Sequence, residues 1–156
     1  MRATQRRGRA SSFAVGSLLV LALLASGVAT DHTRAAASTD SVRQMLSLTN
    51  EDRSQHDRRA LQLNARISRY AERHSHAMAA AGELFHTPNL ADRLQGLDWS
   101  LGGENVGVGA SLADLQDAFM ASPPHRRNIL ERRFDHAAIG IVQSDGSFWV
   151  TVIFYG

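Results

Sequence analysis

The chain has 156 residues, 17 basic against 15 acidic side chains, no cysteine and a 44% hydrophobic share, which suits one globular domain and excludes a disordered or collagen-like chain. Without cysteine there is no disulfide framework, no thiolate-ligated zinc or iron–sulfur centre and no thiol nucleophile. The basic excess is local: after residue 29 there are 13 arginines against 15 carboxylates, a mildly acidic balance that argues against nucleic acid as a partner.

Arg2, Arg6, Arg7 and Arg9 precede an uncharged run from Phe13 to Ala29 whose centre, Leu18 to Leu24, is densely apolar. Basic start, short apolar core and small residues before a cut are the layout of a secretory signal. The run of 17 residues falls between a signal core and a membrane span, so residues 1–29 read as a signal peptide or an N-terminal anchor. In both cases the flanking arginines send the remainder across the membrane. The expected location is secreted, or anchored to the outer face of the cytoplasmic membrane through that segment if it is retained. Residues 30–40 are small, polar and aperiodic, a tether, and the domain is expected over residues 41–156.

Val42, Met45, Leu46 and Thr49 fall at helical spacing and predict a first amphipathic helix. A second runs from an Asn64 cap to a Gly82 stop, with Ile67, Tyr70, Ala71, His74 and Met78 on its inner face. A helical turn from Asn89 to Leu94 follows Pro88, and then a glycine-rich strand carries Glu104, Val106 and Val108 on one parity. Ser111 caps a helix with Leu112, Leu115, Ala118 and Phe119 inward, ended by Pro123-Pro124. Ala137–Val142 and Ser147–Tyr155 form a hairpin about Ser144-Asp145-Gly146. Its second strand is apolar on both parities, so both faces are covered. The fold class that follows is α+β: a three-layer α-β-α sandwich with a small antiparallel sheet.

The polar residues that interrupt this pattern carry the chemistry. His86 sits in a turn after the second helix, Glu104 among glycines, and His125 after a proline pair that redirects the chain. One carboxylate and two imidazoles suit a metal site or an acid–base pair. The bland alternatives are a histidine bonded to carbonyls of its own turn and a glutamate capping nearby N–H groups. Spacing alone does not join the three, and no zincin, nucleophile-elbow or Walker motif is present. Ser122 lies beside His125, but no third group supports it as a nucleophile. Among the other histidines, His74 is expected at partly buried packing and His76 in solvent, while the Arg126-Arg127 and Arg132-Arg133 pairs read as solvated surface charge.

Asn50-Glu51-x-Arg53, Gly103-Glu104-Asn105-Val106, Ser122-Pro123-x-His125-Arg126-x-Asn128-Ile129-Leu130, Ile139-Gly140-Ile141 and the aromatic last strand together resemble a bacterial CAP (SCP-like) domain. That superfamily takes in cysteine-rich secretory proteins, antigen 5 and the plant pathogenesis-related proteins. The likeness runs from about Met45 to the C-terminus. It implies an α-β-α sandwich with a cleft of two histidines and two glutamates that binds divalent metal in some members. His86, Glu104 and His125 match three of those four positions, a set that would serve zinc or another divalent metal, and Ser122 stands where the second glutamate would fall. Two functions follow. One is an exported binding or interaction module at the cell envelope, its cleft receiving a small apolar ligand, a glycan or a protein. The other is a metal-dependent, peptidase-like hydrolase using the same cleft. The missing carboxylate favours the first.

Overall fold

The computed structural model describes residues 26–156, with side chains from Ser38 onward. The basic start and most of the apolar run expected as a signal or anchor lie outside the described residues. Helices α1 (Ser26–Gln55), α2 (Ala65–Ala81), α3 (Leu90–Leu94), α4 (Leu112–Ala121) and α5 (Pro123–Leu130) alternate with strands β1 (Gln62–Leu63), β2 (Gly102–Gly109), β3 (His136–Ser144) and β4 (Ser147–Tyr155). The sheet order is β1-β3-β4-β2. β4 pairs antiparallel with both β2 and β3, and the two-residue β1 lies parallel to β3, so the sheet is mixed rather than wholly antiparallel. No helix among the described residues is long and apolar enough to cross a membrane.

The double apolar parity of β4 becomes the two sides of the sandwich. Val150, Val152 and Phe154 join Met45, Leu115 and Ile129 on the side of α1, α4 and α5, whereas Ile153 and Tyr155 join Ile67, Ala71 and Leu94 on the side of α2 and α3. Successive strand residues point to opposite faces, so one strand builds both cores. α2 crosses β3 so closely that a Cβ on Gly140 would stand 2.0 Å from the carbonyl carbon of Ala71. There the buried Ser75 hydroxyl donates to the Gly140 carbonyl at 3.0 Å and lies 2.9 Å from the Thr151 hydroxyl.

The ends of α2 follow the sequence. Asn64 accepts from the backbone N–H groups of Arg66 and Ile67, and Gly82 closes the helix in the left-handed region at φ 66°, which glycine enters without steric cost. The hairpin turns on Asp145 and Gly146, with φ 49° and 75°, the pair of positive angles that a two-residue turn matched to strand twist requires.

Several expectations are corrected. Residues 30–40, read as a tether, continue α1 without a break. That stretch holds no glycine or proline and includes Ala35-Ala36-Ala37, strong helix formers. Pro123 and Pro124 do not turn the chain away from helix; they open α5, because a proline's absent N–H has no intrahelical partner to lose in the first helical turn. On α2, Tyr70 is exposed and Ser75 is buried in its place. On α4, Gln116 rather than Ala118 is buried. Val108 departs from the buried parity of Glu104 and Val106 near the end of β2.

Arg53 is a residue whose burial the sequence pattern hides. It is fully enclosed, and its guanidinium donates to the carbonyls of Arg59 (2.8 Å), Ile129 (2.6 Å), Glu131 (3.0 Å) and Phe134 (2.9 Å). Burial, and then the charge of Arg58, lower its pKa. One side chain ties the end of α1 to the end of α5 and to the entry of β3, which holds α5 against the sheet.

Candidate functional site

The site is built where the segment after α2, the start of β2 and the first turn of α5 meet. His86 Nδ1 lies 2.8 Å from Glu104 Oε1, and the Thr87 backbone N–H donates to the same oxygen at 2.8 Å. The Glu104 side chain is 5% exposed and that of His86 66%. The carboxylate is thus the floor and the imidazole the rim. A carboxylate acceptor puts the proton of this contact on Nδ1, so whenever the ring is uncharged its lone pair lies on Nε2. The second carboxylate oxygen and the Thr87 hydroxyl are buried without a hydrogen-bond partner.

His125 stands in the first turn of α5, its ring 5.1 Å from that of Phe119. Its pKa is lowered from 6.5, first by burial and second by the charge of His86. Burial removes water from the imidazolium and a neighbouring like charge repels it, so both favour the neutral ring. The backbone behind this histidine is fixed: Asn105 Nδ2 donates to its carbonyl at 3.1 Å, and Asn128 Nδ2 donates to the Glu104 carbonyl at 3.0 Å and to Asn105 Oδ1 at 2.9 Å. Asn105, Asn128 and Thr87 therefore position the site, and the sequence reading singled out none of them for that work. The first two already stood in the Gly103-Glu104-Asn105 and His125-x-x-Asn128 motifs.

The glycines around Glu104 serve packing. A Cβ on Gly103 would come 2.9 Å from Asn128 Oδ1, and one on Gly107 would come 2.8 Å from Leu115 Cδ1. The close approach that they permit is that of α4 and α5. Ser122 joins α4 to α5 and its side chain caps neither helix.

Three donors in one metal-binding group are a different matter. Among the described residues, no group of three or more His, Cys, Asp and Glu side chains is gathered to hold a metal. Glu104 gives one oxygen to His86 and Thr87, which places it behind the imidazole as an orienting group. In this geometry Glu104 supports the His86 ring and is not gathered with the two imidazoles as a third donor.

Three other histidines have structural partners, and His76 is exposed. His74 Nε2 is 2.8 Å from the Phe85 carbonyl. His56 Nε2 accepts from Arg126 at 2.8 Å, with Nδ1 2.8 Å from the Asp52 carbonyl. His136 pairs with Asp135 at 2.6 Å and stacks on Tyr155. A separate hollow of about 220 Å³, with Val42, Leu63, Ile139 and Ile141 in its wall, opens between α1 and α2 and takes in none of the cleft residues.

The profile of the cysteine-rich secretory protein family matches residues 46–154. The chain belongs to that family. It is 30% identical over 129 residues to the uncharacterized protein YkwD of Bacillus subtilis (strain 168), a match that takes in 77% of this chain and 50% of YkwD. An extracellular protein containing an SCP domain from Bacillus anthracis str. Ames superposes with a TM-score of 0.65 at 28% identity, covering 76% of this chain and 41% of that protein. An outer surface protein from Borrelia burgdorferi superposes with a TM-score of 0.65 at 15% identity, over 76% of this chain and 93% of that one, a likeness of fold alone. The chain thus spans half the length of YkwD. This domain of the cysteine-rich family contains no cysteine, so its two packed cores hold it without disulfides.

Proposed function

We propose that this domain is an exported binding module of the cell envelope, whose cleft receives its partner on the imidazoles of His86 and His125. The observation that carries the reading is the bond from His86 to buried Glu104, which presents an exposed ring in one tautomer beside a second imidazole held neutral. The oriented ring offers a polar contact in a fixed direction and the second imidazole adds another, which suits a hydroxyl-rich ligand such as a glycan or a polar protein loop. Binding is favoured over hydrolysis because Ser122 stands where the resemblance would place a second cleft carboxylate, which leaves one proton carrier fewer for a reaction. Export is supported by the basic-apolar start of the chain and by the similar Bacillus anthracis protein, described as extracellular.

The test is capture from glycan and lipid arrays by the wild-type chain and by Glu104→Gln, together with zinc analysis of both. Capture of a glycan by the wild type that Glu104→Gln loses is the expected result. Stoichiometric zinc together with a peptidase activity that His86→Ala abolishes would overturn it in favour of the hydrolase. Export is checked by fusing the chain to a reporter active only outside the cytoplasm; an inactive fusion sinks that part.

A further inference from the structure

Among the described residues, several arginines are held by partners. Arg53 is bonded to carbonyls, Arg58 donates to the Leu130 carbonyl, Arg126 to His56, and Arg133 grips Glu131. Arg66, Arg69 and Arg73 of α2 and Arg93 of α3 are exposed, and none of the four enters an ion pair among the described residues.

Two of the four, Arg73 and Arg93, stand over the ring of Tyr70, which is 38% exposed. The guanidinium carbons of Arg73 and Arg93 lie 4.4 Å and 5.5 Å from the centre of its ring. At 3.6 residues per turn, Arg66, Arg69, Tyr70 and Arg73 share an arc of about 100° on α2, and Glu72 falls about 60° outside it. A guanidinium stacked on an aromatic face is held still while its in-plane N–H groups stay free to grip an oxyanion in a bidentate fork. Two like charges gathered on one ring repel each other, and no carboxylate among the described residues pairs with them. Beyond residue 29 the domain carries more acids than bases, so this face reverses the local sign.

We propose that the N-terminal half of α2, with Arg93, is a docking surface for a linear phosphate polymer. Charge complementarity selects a polyanion. Arg66 to Arg73 spans about 10 Å of helix, enough to lie along successive phosphates. A membrane surface fits less well because Tyr70, the aromatic residue of the patch, is stacked against guanidinium groups. The exposed Leu84 and Phe85 lie past the far end of α2, beyond Gly82, so no apolar wedge accompanies the charges. The proposal does not rest on the cleft.

The experiment measures binding of the full chain to long-chain inorganic polyphosphate by fluorescence anisotropy over a salt series. Arg2, Arg6, Arg7 and Arg9 are replaced by Gln throughout so that the basic start does not contribute. The expected result is binding that weakens with salt, as phosphate contacts dictate. Arg73→Gln with Arg93→Gln should weaken it at least tenfold and flatten the salt slope. Tyr70→Leu, which keeps every charge but removes the stacking platform, should weaken it severalfold, while Tyr70→Phe should leave it unchanged. Equal binding by the double arginine variant overturns the proposal, and so does tighter binding to phosphatidylglycerol vesicles than to the polymer. Circular dichroism of these surface variants should match the wild type.

Discussion

Glu104 Oε1 is 2.8 Å from His86 Nδ1, and that contact joins the core of the sheet to the exposed rim of the cleft. The carboxylate is taken out of water by β2 and its neighbours, and it holds the imidazole in one tautomer through a charge-assisted bond. A neutral amide of the same shape should therefore fill the space and lose the orientation. Glu104→Gln is expected to lower stability by about 1–3 kcal/mol and to raise the share of the His86 tautomer protonated at Nε2. Denaturant melts and nitrogen-15 shifts of the ring measure the two effects. An unchanged tautomer population would show that Glu104 does not orient the ring.

Arg53 supplies a second test because its donors satisfy carbonyls from three segments. Arg53→Met nearly preserves volume but leaves the buried carbonyls of Ile129 and Phe134 unpaired, each costing about 1–3 kcal/mol. The expected loss is about 3 kcal/mol or more at an unchanged denaturant m-value, measured by urea unfolding. Amide exchange should rise first in α5, which then holds His125 less firmly.

What the sequence made legible was local. The caps at Asn64 and Gly82, the Asp145-Gly146 turn and the two parities of β4 each depend on a few neighbouring residues, and all are found in the structure. Arg53 was invisible because a charge on a helix reads as solvated until distant carbonyls without partners converge on it. Pro123-Pro124 was misread because the same residues stop one helix and start the next, and only the packing of α5 on α4 decides between them. Tyr70 shares the apolar arc of α2 by spacing, yet the helix is wider than the face that β3 and β4 cover. The meeting of His86 with Glu104, 18 positions apart, came from the order of the family motifs and not from any periodicity.

Gly140 tests the closeness of the α2 layer. A methyl group there would stand 2.0 Å from the backbone of both Ala71 and Glu72, which no side-chain movement relieves. Overpacking costs about 1–3 kcal/mol where side chains can adjust, and here α2 itself must lift from β3. Gly140→Ala is expected to lose more than about 3 kcal/mol and to break the Ser75 bond to the residue 140 carbonyl. Thermal melts should show this, with Gly146→Ala, where a Cβ meets nothing but φ is 75°, losing far less.

The pH dependence of folding isolates His125. Its pKa in the folded chain lies below 6.5, through burial first and the charge of His86 second, so the unfolded chain binds more protons just below that value. The stability contributed by the neutral ring is then complete above about pH 6.5 and is lost as the pH falls from there through the lower folded value. His125→Gln removes the titrating group while keeping a polar side chain at the site. Between about pH 7.5 and about pH 5 the unfolding free energy of the wild type should fall more steeply than that of the variant. His86→Gln should shift the steep part of the wild-type curve to higher stability at low pH by removing the repelling charge. Parallel curves for wild type and His125→Gln would mean that the ring titrates alike in the folded and unfolded chains, and the neutral imidazole beside His86 would lose its support.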